Sequence, residues 1–140
     1  MNVLIVGGGQ VGGHVAQLLL AAGCQVTIVE PREAALARVR QDVPGACILA
    51  GSGTDPAMLE AAGVATAGVV CAVTGADETN LAIATLAKFG FGVGRVLARM
   101  NNPRNRWLFE PDLGVDLAVN QAELMAQLVV EGIISKAGQD

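Results

Sequence analysis

Short apolar runs that alternate with helical patterns are the feature that most constrains the fold of this 140-residue chain. Such alternation predicts repeated strand–helix–strand units around a parallel sheet. We expect six strands, at Asn2–Val6, Gln25–Glu30, Ala46–Ala50, Gly68–Val73, Arg95–Arg99 and Val115–Val119. Helices are expected at Gln10–Ala22, Glu33–Gln41, Asp55–Ala62, Glu78–Phe89, Arg104–Glu110 and about Gln121–Ser135. The predicted fold class is α/β, a three-layer Rossmann fold with a six-stranded parallel sheet and helices on both faces.

Residues that favour turns and helix ends stand between these segments. Asp55 followed by Pro56 is a typical helix start. Gly23 and Gly63 stand where a helix commonly ends in a left-handed residue. Asn102 before Pro103 predicts a turn ahead of the fifth helix. We find no linker or composition break, so residues 1–140 are expected to form one domain.

Composition narrows the partners and the compartment. The chain is 52% hydrophobic and 3% aromatic, with a net charge of −4. Few aromatic rings and a negative charge disfavour nucleic acid as a partner. No apolar stretch approaches the roughly 20 residues of a membrane span, and the N-terminus lacks the basic segment of a signal peptide. We therefore expect a cytoplasmic domain without direct membrane insertion, whose three cysteines are small buried thiols.

A glycine-rich segment between the first strand and the first helix is the strongest functional signal. Gly7, Gly9 and Gly12 form a G-x-G-x-x-G pattern directly after the apolar run Val3–Val6. Gly7 allows a tight turn, Gly9 lets the backbone approach a diphosphate, and Gly12 lets the helix pack closely on the strand. Amides at the positive end of the helix would then face the anion. The segment predicts a dinucleotide phosphate site.

An acidic residue ends the second strand, eighteen positions beyond Gly12. A carboxylate there, at Glu30, is expected to accept hydrogen bonds from both hydroxyls of an adenosine ribose. It would also repel a 2′-phosphate, which favours NAD(H) over NADP(H). Arg32 is the one feature against that preference, because an arginine at this place can pair with a 2′-phosphate.

Four segments resemble a known family. They are GGGQVGG at 7–13, AGSGTDP at 50–56, AVTGADETN at 72–80 and ARMNNP at 98–103. All four resemble the RCK, or TrkA N-terminal, domain, a cytoplasmic nucleotide-binding domain of potassium channels and Trk/Ktr-type potassium transporters. The resemblance implies homodimers, a possible higher ring on a membrane transporter or channel subunit, and control of ion flux by nucleotide exchange.

The resemblance also implies a set of ligand-binding residues. The expected cofactor-binding residues are Gly7, Gly9, Gln10, Val11, Gly12, Glu30, Arg32, Gly51, Ser52, Thr74, Gly75, Asn80 and Arg99. Ser52 replaces an aspartate that lies near the adenine in many members. Gln10 replaces an arginine that reaches a phosphate in ATP-preferring members, which favours NAD or NADH over ATP, ADP or AMP.

Three of the later residues have expected roles beside the phosphates. Asp77 is predicted to cap the next helix, and Asn80 could donate a hydrogen bond to the ligand from its first turn. Arg99 ends the fifth strand, at the edge where ligands of open α/β sheets collect, and could neutralise a diphosphate. A surface ion pair is the alternative for Arg99.

The last helix and its first turn carry two further expectations. Apolar residues, including Leu124, Leu128 and Ile133, cover more than one side of it, which favours burial against a second copy. Glu123 resembles a family acid that sometimes assists a cation, which makes it a metal candidate, and a plain helix-start acid is the alternative. Because the chain ends soon afterwards, we expect no RCK C-terminal domain.

The resemblance implies a regulatory domain, and the residues of the chain themselves argue against an enzyme. His14 is the only histidine, and no nucleophile or carboxylate is placed to orient it. Trp107 is expected to be a core or interface anchor. The first alternative is an ATP-, ADP- or AMP-sensing domain of the Ktr type. The second is an NAD-dependent oxidoreductase, disfavoured because neither Lys88 nor Lys136 sits in a catalytic pattern.

Overall fold

Six parallel strands form one sheet in the computed structural model, which describes residues 1–139, with the backbone alone for 136–139. The strand order is β3-β2-β1-β4-β5-β6. The strands are β1 Asn2–Val6, β2 Gln25–Glu30, β3 Cys47–Ala50, β4 Val69–Ala72, β5 Arg95–Arg99 and β6 Leu117–Val119. This confirms the predicted sheet and gives the strand order of a Rossmann fold. The two edge strands, β3 and β6, are short.

Helices connect the strands and cover both faces of the sheet. They are α1 Gln10–Ala21, α2 Glu33–Asp42, α3 Pro56–Ala61, α4 Asp77–Thr85 and α5 Gln121–Gln139. A single π turn, Leu86–Gly90, extends α4, and a short 3₁₀ turn covers Val64–Thr66. Asp55 caps α3 through a hydrogen bond from the Ala57 amide, and Gly23 and Gly63 are left-handed, as predicted.

The helix predicted at Arg104–Glu110 is wrong in type. Two 3₁₀ segments, Pro103–Leu108 and Pro111–Leu113, occupy this stretch. Pro111 forces the preceding residue into an extended conformation, and Glu110 has φ −133° and ψ 165°. A continuous helix cannot pass through that geometry. The turn at Asn102 is confirmed, since its side chain accepts a hydrogen bond from the Arg104 amide.

Alternating residues of the strands build two apolar layers. Val3 and Ile5 of β1 point to the side of α1 and α2, whereas Leu4 and Val6 point to the side of α3 and α4. Buried aliphatic residues supply nearly all of both layers, and Phe109 is a buried aromatic residue on the α4 side. The three-layer arrangement is confirmed.

The sheet face on the α1 side retains an open groove over its outer strands. Helices α1 and α2 pack over β1, β2 and β3 on this face. Beyond α1 lies a groove of about 650 Å³ whose walls are largely apolar. Its lining includes Val15, Val73, Leu97 and Val119. This groove reaches the first turn of α1, because Gln10 and Val11 also line it.

Helix α5 projects from the domain after β6. Asn120 begins it, because its Oδ1 accepts a hydrogen bond from the Glu123 amide while its Nδ2 donates to the Met100 carbonyl. Every residue from 121 to 135 is exposed. Within residues 1–139, the helices found are too short or too polar to cross a bilayer.

Two side chains for which burial was expected or allowed are exposed. Trp107 is 72% exposed, which excludes a core anchor and leaves the interface anchor as a prediction. Cys47 is exposed, whereas Cys71 is buried and Cys24 is partly buried. Burial raises the pKa of the Cys71 thiol to about 11. The expectation of small buried thiols therefore holds for Cys71 and fails for Cys47.

Candidate functional site

The glycine-rich turn lies at the carboxyl edge of the sheet, between β1 and β4. These neighbouring strands are the point at which the strand order reverses, the usual ligand crevice of an open α/β sheet. The turn after β1 and the turn after β4 meet there, because a Cβ built on Gly7 would lie 3.0 Å from the Val73 carbonyl.

Two glycines of the turn are required by their geometry. Gly7 has φ +119°, a region that side chains disfavour. A Cβ on Gly12 would lie 1.8 Å from the Gly7 carbonyl oxygen, so no larger residue fits there without moving α1. The close approach of helix and turn predicted from the sequence is therefore present.

The first turn of α1 can accept an anion. Gly9 is its N-cap and provides no side chain, and the earliest amide bonded within this turn is that of Gly13, which donates to the Gly9 carbonyl. The amides of Gln10, Val11 and Gly12 precede it and have no intrahelical acceptor. A Cβ on Gly9 would meet one neighbour within 4 Å, the Arg32 guanidinium at 3.6 Å. The backbone is thus accessible to a phosphate.

Glu30 lies directly behind this turn and is 1% exposed. Its Oε1 accepts hydrogen bonds from the Gly8 amide and from Arg32 Nη2, both at 2.9 Å. Its Oε2 accepts from the Arg32 amide at 2.8 Å and from Arg32 Nε at 3.1 Å. Burial alone would raise the pKa of Glu30, but the bonds from Arg32 and Gly8 lower it below its ordinary value. The carboxylate is therefore held ionised.

Arg32 is the exposed partner in this ion pair. Its side chain is 66% exposed, against 2% for that of Glu30. The pairing raises the pKa of the guanidinium, so the charge is permanent. In the sequence Arg32 was a candidate contact for a 2′-phosphate, whereas the structure brings it onto Glu30 itself.

Gly51 and Ser52 lie in the loop that follows β3, next to Glu30. The Gly51 amide donates to the Glu30 carbonyl. The Ser52 hydroxyl is 2.7 Å from the Thr54 hydroxyl and accepts from the Thr54 amide, so it orders the loop. Sequence reasoning missed Gly53, whose absent Cβ would lie 2.3 Å from Val6 Cγ1. Its place inside the quoted AGSGTDP segment was the available signal.

Asn80 is brought to the site but differs from its predicted role. Its Oδ1 accepts from the Thr74 amide at 2.9 Å and the Thr74 hydroxyl at 2.7 Å. Its Nδ2 donates to the carbonyls of Thr74 and Arg99 at 3.1 and 2.8 Å. Because both amide hydrogens are used inside the protein, Asn80 positions the loop after β4 rather than offering a donor. Gly75 beside it is exposed and open.

Asp77 does not cap α4, contrary to expectation. Ala76 is the N-cap, and Asp77 is the first helical residue, 7% exposed. Its carboxylate accepts four hydrogen bonds: from the Asn101 amide and side chain, from the Asn102 amide and from the Asn105 side chain. Burial would raise its pKa, but these bonds lower it. Sequence reasoning missed both asparagines, although Asn101 lies in the ARMNNP segment and Asn105 follows that segment by two positions.

Arg99 faces the open groove opposite α1. The groove lining joins it to Gln10, Val11 and His14 of α1. Its Nη2 donates to Gln121 Oε1 at 3.2 Å, which links the end of β5 to the first residue of α5. Arg99 therefore lies near the anion-accepting turn while it also contacts the start of the projecting helix.

Glu123 pairs with Arg106 rather than with other acids. Its carboxylate contacts Arg106 Nη2 on the surface. In the part of the chain with described side chains, no three His, Cys, Asp or Glu residues are close enough to hold a metal ion. The weak expectation of a cation at Glu123 has no support in this geometry.

The fold and the turn define a Rossmann-type domain with an anion-accepting glycine turn and an adjacent buried acid. The family model of the TrkA-N domain matches residues 3–121, and the chain belongs to this family. The Trk system potassium uptake protein TrkA of Mycobacterium tuberculosis is 36% identical over 133 residues. That match covers 95% of this chain and 60% of the relative. A TrkA homologue of Methanothermobacter thermautotrophicus is 35% identical, covering 86% of this chain and 54% of the relative. The chain thus spans just over half the length of these relatives.

Solved structures share the fold at lower identity. The TrkA-N domain of the inner membrane protein YbaL from Escherichia coli has a TM-score of 0.81 and 18% identity, covering 93% of this chain and 94% of that one. The C-terminal domain of Shewanella denitrificans Kef in an AMP-bound form has a TM-score of 0.77 and 23% identity, with coverages of 99% and 82%. The GsuK channel bound to NAD has a TM-score of 0.71 and 18% identity, with coverages of 84% and 21%.

Proposed function

We propose that this chain is a regulatory NAD(H)-binding domain of a potassium transport system, without catalytic activity of its own. The observation that carries the proposal is the buried, ionised Glu30 directly behind an uncapped first turn of α1. Glu30 would accept hydrogen bonds from the hydroxyls of a ribose, and the first turn of α1 would bind the adjoining diphosphate. Membership of the TrkA-N family, and the name of the relative from M. tuberculosis, supply the link to potassium transport.

The proposed nucleotide contacts follow the edge of the sheet. The diphosphate would lie on the amides of Gln10, Val11 and Gly12, over Gly7 and Gly9. The adenosine ribose would bond Glu30, with Gly51 and Ser52 near the base. Thr74 and Gly75 would border the second ribose, and Arg99 would supply a positive charge on the opposite side. Asn80 would act through Thr74 rather than through the ligand.

Calorimetric titration tests this proposal. NADH, NAD, NADPH, ATP, ADP and AMP are each titrated into the wild type, Glu30→Ala and the control Glu33→Ala. Glu33 is an exposed acid three residues away. We expect NADH or NAD to bind most tightly, and to weaken about 100-fold in Glu30→Ala, since two hydrogen bonds to a charged acceptor are lost. Glu33→Ala should bind like the wild type.

Three results would contradict the proposal. No binding of any adenine nucleotide to folded protein would overturn the site. Tighter binding of ATP, ADP or AMP would move the proposal to an adenine-nucleotide sensor, the ligand class named for the Kef structure. Turnover of NADH with small oxo-acids would make the chain an oxidoreductase.

A homodimer through α5 is the second part of the proposal. Large apolar residues on this helix are 49–66% exposed, which is costly for an isolated molecule. They are Leu124, Met125, Leu128, Val129, Val130, Ile133 and Ile134. The largely apolar groove over the outer strands of a second copy would receive them. A ring of such dimers is the further expectation.

Light scattering tests the dimer. Leu128→Glu places a charge on the apolar side of α5 and should reduce the mass to that of one chain. Gln127→Glu is the control, because Glu123, Gln127 and Glu131 recur at four-residue intervals and form a polar strip. An unchanged mass in Leu128→Glu, or a monomeric wild type, would overturn this interface.

The membrane partner completes the proposal. The domain would act in the cytoplasm, at the inner face of the membrane, bound to a potassium transporter or channel subunit. Rubidium uptake into vesicles that contain a Trk-type transport subunit tests this. Uptake should depend on added chain and on NADH against NAD, and Glu30→Ala should remove that dependence. Uptake that ignores both additions would overturn it.

A further inference from the structure

The Arg32 guanidinium donates two hydrogen bonds to Glu30, as the two hydroxyls of the proposed ribose would. A carboxylate oxygen offers two lone-pair sites. Each oxygen of Glu30 accepts one bond from a backbone amide, Gly8 or Arg32, and one from the Arg32 guanidinium. The four acceptor sites are therefore filled. A ribose diol would need the two that Arg32 Nε and Nη2 now occupy.

The two halves of this arrangement differ in how readily they can leave. The amide donors belong to the glycine turn and to the residue after Pro31, and the fold fixes both. The guanidinium stands at the end of a long side chain that is 66% exposed. Rotation of that side chain would release one acceptor site on each oxygen while both backbone bonds remain.

We propose that Arg32 is a built-in competitor for the adenosine ribose. Its two guanidinium N–H bonds to Glu30 are exchanged for the two hydroxyls of the ligand. Affinity is then set by the difference between the two pairs of bonds rather than by the ribose bonds alone. This inference rests on the proposed function, because it takes Glu30 as the acceptor of the ribose.

The competition has a second consequence for specificity. NADPH carries a phosphate on its 2′-oxygen and keeps one hydroxyl for Glu30, so it cannot complete the exchange. A displaced Arg32 would lie beside that phosphate and partly offset its repulsion by Glu30. Removal of Arg32 should therefore favour NADH over NADPH more strongly than the wild type does.

A pair of matched ligands distinguishes competition at Glu30 from attraction between the Arg32 charge and the phosphates. ADP carries the ribose diol, whereas 2′,3′-dideoxy-ADP has the same diphosphate and base without it. Loss of a cation near the phosphates weakens both ligands alike. Loss of a competitor at Glu30 favours ADP alone. The ratio of the two dissociation constants therefore reports the competition.

The experiment measures this ratio in the wild type, Arg32→Ala, Arg32→Lys and Arg38→Ala. Arg38 is an exposed arginine on α2, which makes it the control for charge. In Arg32→Ala the preference for ADP over the dideoxy ligand should rise roughly three- to ten-fold. Arg32→Lys keeps the charge but cannot donate two parallel hydrogen bonds as a guanidinium does, so the preference for ADP should rise less in this variant. Arg38→Ala should match the wild type.

The outcomes separate this inference from the proposed function. If the wild type binds ADP and Arg32→Ala leaves the ratio unchanged or lowers it, Arg32 is not a competitor, and the nucleotide site stands. Binding of ADP by Arg32→Ala but not by the wild type supports competition in its strongest form. If neither protein binds, although circular dichroism shows both folded, the site and the competitor are both overturned. An equal gain for NADH and NADPH would contradict the two-hydroxyl exchange.

Discussion

Two buried carboxylates at the same edge of the sheet have opposite surroundings. Glu30 and Asp77 are 1% and 7% exposed, and each accepts four hydrogen bonds. All four donors to Asp77 are backbone amides or short asparagine side chains. Two of the four donors to Glu30 come from a long arginine side chain that reaches in from solvent.

The difference shows that a carboxylate can be buried while some of its hydrogen-bond donors can still be replaced. A short donor that is itself held by the fold cannot leave without disrupting the loop after β5. A long charged side chain can leave at the cost of one partly screened ion pair. Asp77 therefore fixes the architecture beside the site, whereas two of the four donors to Glu30 belong to a side chain that can move away, as the proposed exchange requires.

Removal of the Asp77 carboxylate should have the largest effect. Asp77→Ala leaves the Asn101 and Asn102 amides without an acceptor and detaches the loop from α4. We expect the free energy of unfolding to fall by about 3 kcal/mol. Urea denaturation measures it, and Glu78→Ala, an exposed neighbour, should change stability by less than about 0.5 kcal/mol. Equal losses in the two variants would remove the distinction between Asp77 and a surface acid.

Arg32→Ala should have a smaller effect that depends on pH. The pKa of Glu30 is lowered in the folded state, so its stabilising contribution is present above its unfolded pKa of about 4.3 and is lost as the pH falls through the lowered value. Without Arg32, that lowering shrinks. Above roughly pH 5, the free energy of unfolding of the wild type should exceed that of the variant by about 1 kcal/mol, since solvent screens the exposed guanidinium.

Urea denaturation between pH 3 and pH 7 measures this gap, with Arg38→Ala as the control. The gap should narrow once the pH falls below the unfolded-state pKa of Glu30 and should close as the pH passes the lowered pKa of the folded state. A gap that stays constant over this range would mean that Arg32 stabilises the domain through packing rather than through the Glu30 charge.

Added salt should produce the smallest effect and the sharpest contrast. Raising NaCl from about 0.1 M to about 1 M shortens the screening length from roughly 10 Å to roughly 3 Å. The deficit of Arg32→Ala should then fall by about half, because its guanidinium is exposed. The deficit of Asp77→Ala should change by less than about 0.3 kcal/mol, since its donors are uncharged. Parallel salt responses would contradict the comparison.

The sheet and most helices could be predicted because their signals are local. Apolar runs of β1 and β2, the glycine turn and the Asp55–Pro56 helix start each lie within a few residues of chain. Gly12 was assigned a packing role from its place in a pattern, and the 1.8 Å that would separate a Cβ there from the Gly7 carbonyl oxygen supports that assignment. Such features depend on backbone conformation, which the neighbouring residues largely set.

The side-chain partners could not be predicted in the same way. Asp77 and Asn101 lie 24 positions apart and meet because α4 and the loop after β5 converge. From its neighbouring residues alone, Asp77 was predicted to cap the helix that follows it. Arg32 is only two positions from Glu30, yet its direction depends on the glycine turn beside both. Which donors reach a carboxylate is decided by the folded geometry, not by spacing along the chain.

The brevity of the two edge strands limits how molecules of this protein can meet. β3 has four residues and β6 has three, so lateral extension of the sheet would form few new backbone bonds. Continuous cross-strand polymers are disfavoured by this geometry even at high concentration. The self-association proposed above would use a helical surface, where contact can close into a finite particle instead of a fibre.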